Sequence, residues 1–230
     1  MSTVLINPYM SFPPSSVAID DFIGTNGGAI STAIWDHNGN TTHGALREIQ
    51  SNSLHMSTGN IGGNNSSDSN GIFTDATYAD AEIQFLDFEW LSTTVDQAFT
   101  IKLMVRASGT MADWQADMPD GIGMEIKPGD HEVFLFSKVA DGWSGLSSSV
   151  SFTTLVGGNP VAGDKWNIVF RHTGTAFQAF IWKTTGSRPG TPSLSAATTS
   201  FTSAGKVSIG CGGNTVASRA FRIGSVVKAA

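Results

Sequence analysis

Charge is scarce in this sequence, at 14% Asp, Glu, Lys and Arg, and cysteine is nearly absent, with one among 230 residues. Cys211 alone forms no internal disulfide, so the sequence does not report an oxidising compartment. No stretch approaches the roughly 20 consecutive apolar residues of a bilayer-spanning helix, which excludes a membrane span of that kind. Met1 to Met10 lack the cationic segment and apolar run of a secretory signal. The 13 Lys plus Arg face 19 Asp plus Glu, for a net charge of −6, and form no cluster. Phosphate neutralisation needs clustered cations, so neither nucleic acid nor a membrane is expected as a partner.

What is present is 40% apolar residues, 26 Gly and 8 Pro. A chain of this length buries about 70% of its unfolded surface, enough for one core without metal or disulfides. The apolar residues alternate with period two and almost never 3.6. Phe99, Ile101, Leu103 and Val105 alternate with Thr100, Lys102, Met104 and Arg106, as in a strand with one face on a core. Trp166, Ile168, Phe170 and Phe221, Ile223 do the same, while Val133 to Phe136 is apolar on both parities, as in a central strand covered on both faces. Between Ile83 and Trp90 the apolar parity switches, which predicts a bulge or bend. Lys127-Pro128-Gly129-Asp130 and His172-Thr173-Gly174-Thr175 read as hairpin turns.

Strands are expected near 20–24, 44–50, 53–57, 80–90, 98–107, 122–127, 131–139, 165–171, 176–183, 205–210 and 219–227, with no helix. That pattern predicts an all-β, two-sheet antiparallel sandwich. Ser57 to Asn70 and Thr184 to Ser200, rich in Gly, Asn, Ser, Thr and Pro, read as surface loops. The expected organisation is an extended N-terminal arm over residues 1–16 and a sandwich over residues 17–230. In the arm, Pro8, Pro13 and Pro14 forbid a helix and present Tyr9 and Phe12 as hydrophobic anchors.

Asp20-Asp21-Phe22, Gly24 to Gly28, Trp35 and Arg47 leading to Leu54 resemble the start of concanavalin A-like, laminin-G-like jelly-roll domains. The order continues through Val105 to Gly109, Gly121 to Ile126, the strands of Trp166 and Ile181, and a closing Ala220 to Ile223, so the resemblance spans residues 18–228. It implies a jelly roll whose first and last strands lie side by side. Such domains occur in lectins, glucanases, adhesion modules and virion proteins, so the resemblance implies fold rather than function. The leader Ile6 to Phe12, running into the Asp-Asp-Phe block, is similar to the beginning of bacteriophage structural proteins carrying one such sandwich.

Enzyme chemistry finds no clear motif. Glucanases of the resembling class carry Glu-x-Asp-x-x-Glu on one strand, and the stretch from Glu82 reads Glu-Ile-Gln-Phe-Leu-Asp. Gln84 replaces the assisting Asp, with later positions read as out of register. Asp80, Glu82, Asp87 and Glu89 are therefore read as solvated charges. Gly142-Trp143-Ser144-Gly145 is no nucleophile elbow, and Gly121-x-Gly123 is no dinucleotide loop. His37, His43, His55, His131 and His172 lack metal-site spacing, and Asp68, Asn70, Asp75 and Asp80 lack the compactness of a calcium loop. No catalytic residue, cofactor or metal is expected.

The best binding candidates are Trp114 among Asp113, Asp117 and Asp120, then Trp143 beside Asp141 and Gly142. An exposed indole stacks on a sugar face while carboxylates bind hydroxyls. Low charge and short polar side chains suit a protein that packs against copies of itself. Together these features set the expectation of a non-enzymatic bacteriophage virion protein, a capsid decoration or tail component. Its arm would hold it to other virion proteins and to copies of itself in a homo-oligomer, with surface glycans a further partner. A carbohydrate-binding adhesion module is the alternative, and a degenerate glucanase using Glu82 and Glu89 a third.

Overall fold

The computed structural model describes residues 16–36, 47–57, 70–79, 81–91, 99–108, 119–140, 142–212 and 220–229. Within them the alternating pattern folds into two antiparallel sheets stacked over a common core. The nine-stranded sheet contains β1 (Val17–Asp20), β3 (Arg47–Ile49), β4 (Leu54–Ser57), β6 (Ala81–Trp90), β12 (Lys165–Thr173), β13 (Ala176–Lys183), β14 (Leu194–Ala197), β16 (Ala220–Ile223) and β17 (Ser225–Ala229). Its order is β14-β13-β12-β6-β16-β4-β3, with β17 continuing β16 along β6 and β1 pairing with β17. The eight-stranded sheet contains β2 (Trp35–Asp36), β5 (Asn70–Thr74), β7 (Thr100–Ser108), β8 (Asp120–Lys127), β9 (Glu132–Val139), β10 (Gly142–Gly145), β11 (Val150–Ser151) and β15 (Lys206–Gly212), in the order β10-β9-β8-β7-β15-β5-β2.

Period two puts alternate side chains between the sheets. Ile83, Phe85, Phe88 and Trp90 of β6 meet Ile101, Leu103 and Val105 of β7, Ile122, Met124 and Ile126 of β8, and Val133 and Leu135 of β9 in one core. The parity switch in β6 is a bulge. Phe85 pairs with Ile168 and Phe88 with Trp166, so three steps on β6 oppose two on β12, and Asp87 takes φ of +53°. Gly224 breaks the neighbouring strand at the same level, donating its N–H to the Leu86 carbonyl at 2.9 Å, where a Cβ would sit 2.8 Å from that of Asp87.

Several expectations change in detail. The first strand is Val17–Asp20 rather than 20–24, because Phe22 turns the chain at φ +49°. The last strand is two, split at Gly224. The stretch Thr184 to Ser200 is not all loop: Leu194–Ala197 pairs with β13 and buries Leu194, the one large aliphatic side chain in that stretch. Strands β2, β5, β10 and β11 were too short or too rich in Gly and Ser to read as alternation. One short helix, α1 (Phe152–Val156), also forms; Ser151 caps its first turn, Gly157 ends it at φ +80°, and Phe152 is buried.

Candidate functional site

On β9, Val133 and Leu135 enter the core while Phe134, Phe136 and Lys138 stand on the outer face of the eight-stranded sheet. The edge strand β10 pairs Trp143 with Lys138 and Gly145 with Phe136, which brings the indole onto that same face. The Trp143 ring lies 6.1 Å from Phe136 at 15°, stacked, and 5.4 Å from Phe134 at 82°, edge-on. Its inner face is thus held by two buried phenyl rings, yet Trp143 is 45% exposed. Such an indole is fixed before anything binds, so stacking a ligand on it costs little side-chain entropy. Lys127 Nζ stands 5.2 Å from the Phe134 ring centroid, with Asp130 4.0 Å away, and supplies a cation near the same rings.

Further along this face, Phe73, Met104, Ala107, Phe134 and Phe136 form a second apolar cluster, separate from the core between the sheets. Gly123 sits between Met104 and Phe136 in the cross-strand register, and a Cβ there would overlap the Leu103 carbonyl oxygen. Lys102 pairs across strands with Glu125, whose side chain is buried on the face.

Of the expected binding residues, the structure places Trp143 and Asp120. Asp120 opens β8 opposite Ser108 and is half-buried. Asp113, Trp114 and Asp117 lie outside the described residues, as do the arm residues Pro8, Tyr9 and Phe12. Among the described residues no group of three or more His, Cys, Asp or Glu side chains could hold a metal ion. The aromatic support beneath Trp143 went unnoticed in the sequence because Phe134 and Phe136 read as core; the doubly apolar Val133 to Phe136 run was the available signal.

The acidic strand β6 is more ordered than solvated charges imply. Arg188 binds the Glu82 carboxylate with both nitrogens, at 2.7 and 2.8 Å, Arg171 adds a contact at 3.1 Å, and the Gln84 amide donates at 2.8 Å. Burial alone would raise the Glu82 pKa, but Arg188, Gln84 and Arg171 outweigh it and hold the carboxyl below the usual carboxylate value. Both guanidiniums also lie over the Phe180 ring, at 4.2 Å for Arg188 and 5.2 Å for Arg171. Glu89, at the other end, contacts Arg222 at 3.5 Å and Lys165 at 4.0 Å. The bulge falls within the Glu-Ile-Gln-Phe-Leu-Asp stretch, whose last residue, Asp87, takes φ of +53° and donates its backbone N–H to Asn167 Oδ1 at 3.1 Å.

No family model matches the chain, and no curated protein matches it. Solved structures do. The β-glucanase of Bacillus licheniformis matches at TM-score 0.61 and 13% identity, over 94% of this chain and 98% of its own. A non-specific endo-β-1,3(4)-glucanase of family GH16, crystallised with an oligosaccharide at its active site, matches at 0.61 and 12%, over 96% and 97%. The carbohydrate binding module CBM66 from Bacillus subtilis matches at 0.56 and 12%, over 87% and 99%. Two antiparallel sheets, adjoining terminal strands and these matches make the chain a concanavalin A-like jelly-roll sandwich. The expectation that the chain is not an enzyme is overturned: glucanases share its fold over 94% and 96% of its length. At this identity the likeness carries the fold and does not assign catalytic residues.

Proposed function

We propose that this protein recognises glycans, with Trp143 as the stacking platform. The observation that carries the reading is the half-exposed indole fixed against Phe136 and Phe134 at the edge of the eight-stranded sheet. A pyranose presents one face of C–H groups, and an indole of this kind covers it, with the Lys127 ammonium over the adjoining Phe134 ring as a nearby donor. The glucanases and the carbohydrate binding module among the structural matches support a glycan as the class of ligand. Those three matches lend nothing to a bacteriophage particle, so the glycan reading takes the place of the virion one.

Binding to a glycan array, followed by titration of the best oligosaccharide, tests the proposal. Trp143→Ala is expected to weaken binding by tenfold or more, about 1.4 kcal/mol, while Trp143→Phe keeps part of it. Release of reducing ends in the same mixtures tells whether the bound chain is also cut. Equal affinity of Trp143→Ala and wild type, both folded by circular dichroism, would refute the assignment.

A further inference from the structure

Two arginines share one carboxylate on the outer face of the nine-stranded sheet, and donors outnumber acceptors there. Ile83 and Phe85 of β6 enter the core, so Glu82 and Gln84 stand on the opposite face, where Glu82 pairs across strands with Arg171 of β12. Arg188 reaches the same carboxylate from the connection between β13 and β14, residues 184–193. The N–H groups of Arg188 Nη1 and Nη2, Arg171 Nε and Nη2, and the Gln84 amide all converge on the two Glu82 oxygens. A carboxylate offers about four lone-pair sites, so Glu82 has no acceptor capacity left. Each guanidinium spends only two of its five N–H donors on it. Among the described residues, Arg188 Nε and Arg171 Nη1 have no hydrogen-bond acceptor.

Charge is in surplus as well. Two cations face one anion, and the cross-strand neighbours in that row, Gln178 and Ala229, are neutral. Arg171 is 49% exposed and Arg188 30%, against 11% for Glu82, so the guanidiniums rather than the carboxylate meet the solvent. Phe180 carries both of them, with their central carbons 4.2 and 5.2 Å from its ring centroid. Held by the ring and by Glu82, the two planar forks are ordered in advance, which lowers the entropy cost of taking a further acceptor. Planar N–H forks match the oxygens of a carboxylate or a sulfate.

We propose that Arg171 and Arg188 form an oxyanion site, which on a glycan takes the carboxylate of a uronic acid or the sulfate ester of a sugar. The oxyanion site stands on its own geometry, whereas a glycan as the bearer of the oxyanion rests on the function proposed above. Trp143 lies on the other sheet, so the two contacts are separable by experiment.

The experiment titrates the full chain with matched pairs, oligogalacturonate against its neutral methyl ester and dextran sulfate against dextran. The wild type is expected to bind at least one acidic member about tenfold tighter than its neutral partner, the first pair reporting a carboxylate and the second a sulfate. Arg171→Met leaves the two-pronged Arg188–Glu82 pair in place and is expected to abolish the preference. Lys206→Met, an equal loss of charge on the eight-stranded sheet, is expected to keep it. Inorganic sulfate, which cannot stack on an indole, is expected to move the Nε–H NMR signals of Arg171 and Arg188 equally in the wild type and in Trp143→Ala. Those shifts in a protein that binds no glycan would uphold the oxyanion site and refute the Trp143 reading. The proposal is overturned if sulfate leaves both signals unmoved. It is also overturned if glycans bind with no preference for an acidic member, or if that preference survives in Arg171→Met.

Discussion

Replacing Gly123 by Ala tests the register on which the candidate site depends. Gly123 pairs with Met104 on one side and Phe136 on the other, and its added methyl would overlap the Leu103 carbonyl oxygen and stand 3.0 Å from Met104 Cγ. That oxygen belongs to the β7 backbone, which is tied into the ladder on both sides and cannot swing away as a side-chain end could. Overpacking of this kind costs typically about 1–3 kcal/mol, against roughly 0.5–1 kcal/mol regained by removing a strand glycine. A net loss of about 1 kcal/mol is expected, equivalent to about 2–4 °C in Tm for a chain of this size. Urea unfolding measures it, provided the slope is unchanged. Gly158→Ala is the control: nothing lies within 4 Å of its added Cβ, so a change within about 0.5 kcal/mol is expected. Equal stability of Gly123→Ala and the wild type would show that β7 and β8 do not pair in this register.

Other expectations follow from single contacts. Trp35 is fully buried and its indole N–H donates to Asp20 Oδ2 at 2.7 Å, so Asp20→Ala should cost about 1–3 kcal/mol of unfolding free energy, and a loss below 0.5 would count against the bond. Because the folded Glu82 carboxyl is held below its ordinary 4.5, its stabilisation is present above that value and is lost as pH falls through the lowered one. Arg188→Met removes the largest opposing partner. Stability measured from neutral to acid pH should therefore fall less steeply in the variant, and parallel profiles would contradict the pairing. Cys211, fully buried, should resist thiol reagents in the native state and react on unfolding; rapid native labelling would show the β15 core to be open.

Fold class was legible because alternation is a local signal. The runs around Leu103 and Ile168 each declare which face meets the core, and the parity switch between Ile83 and Trp90 announced the bulge that sets Asp87. Strands such as Leu194–Ala197 and Gly142–Gly145 were not legible, since they are edge strands whose pairing is supplied by neighbours rather than by their own side chains. The same holds for the site. Trp143 stood out as an indole beside Asp141 and Gly142, but its support came from Phe134 and Phe136, reached only once β10 folds back on β9. Glu82 read as a solvated charge because Arg171 and Arg188 are 89 and 106 residues away in sequence.

The central claim is that a glycan stacks on Trp143 at the edge of the eight-stranded sheet. Its most direct test is a two-dimensional NMR titration of the full chain with the oligosaccharide chosen from the array, following the indole N–H signals of the six tryptophans. The account predicts that the Trp143 signal moves most, together with the backbone amides of Lys138 and Lys127. Saturating shifts centred instead on Glu82, Gln84 and Glu89 of β6, with the Trp143 signal unmoved, would contradict it.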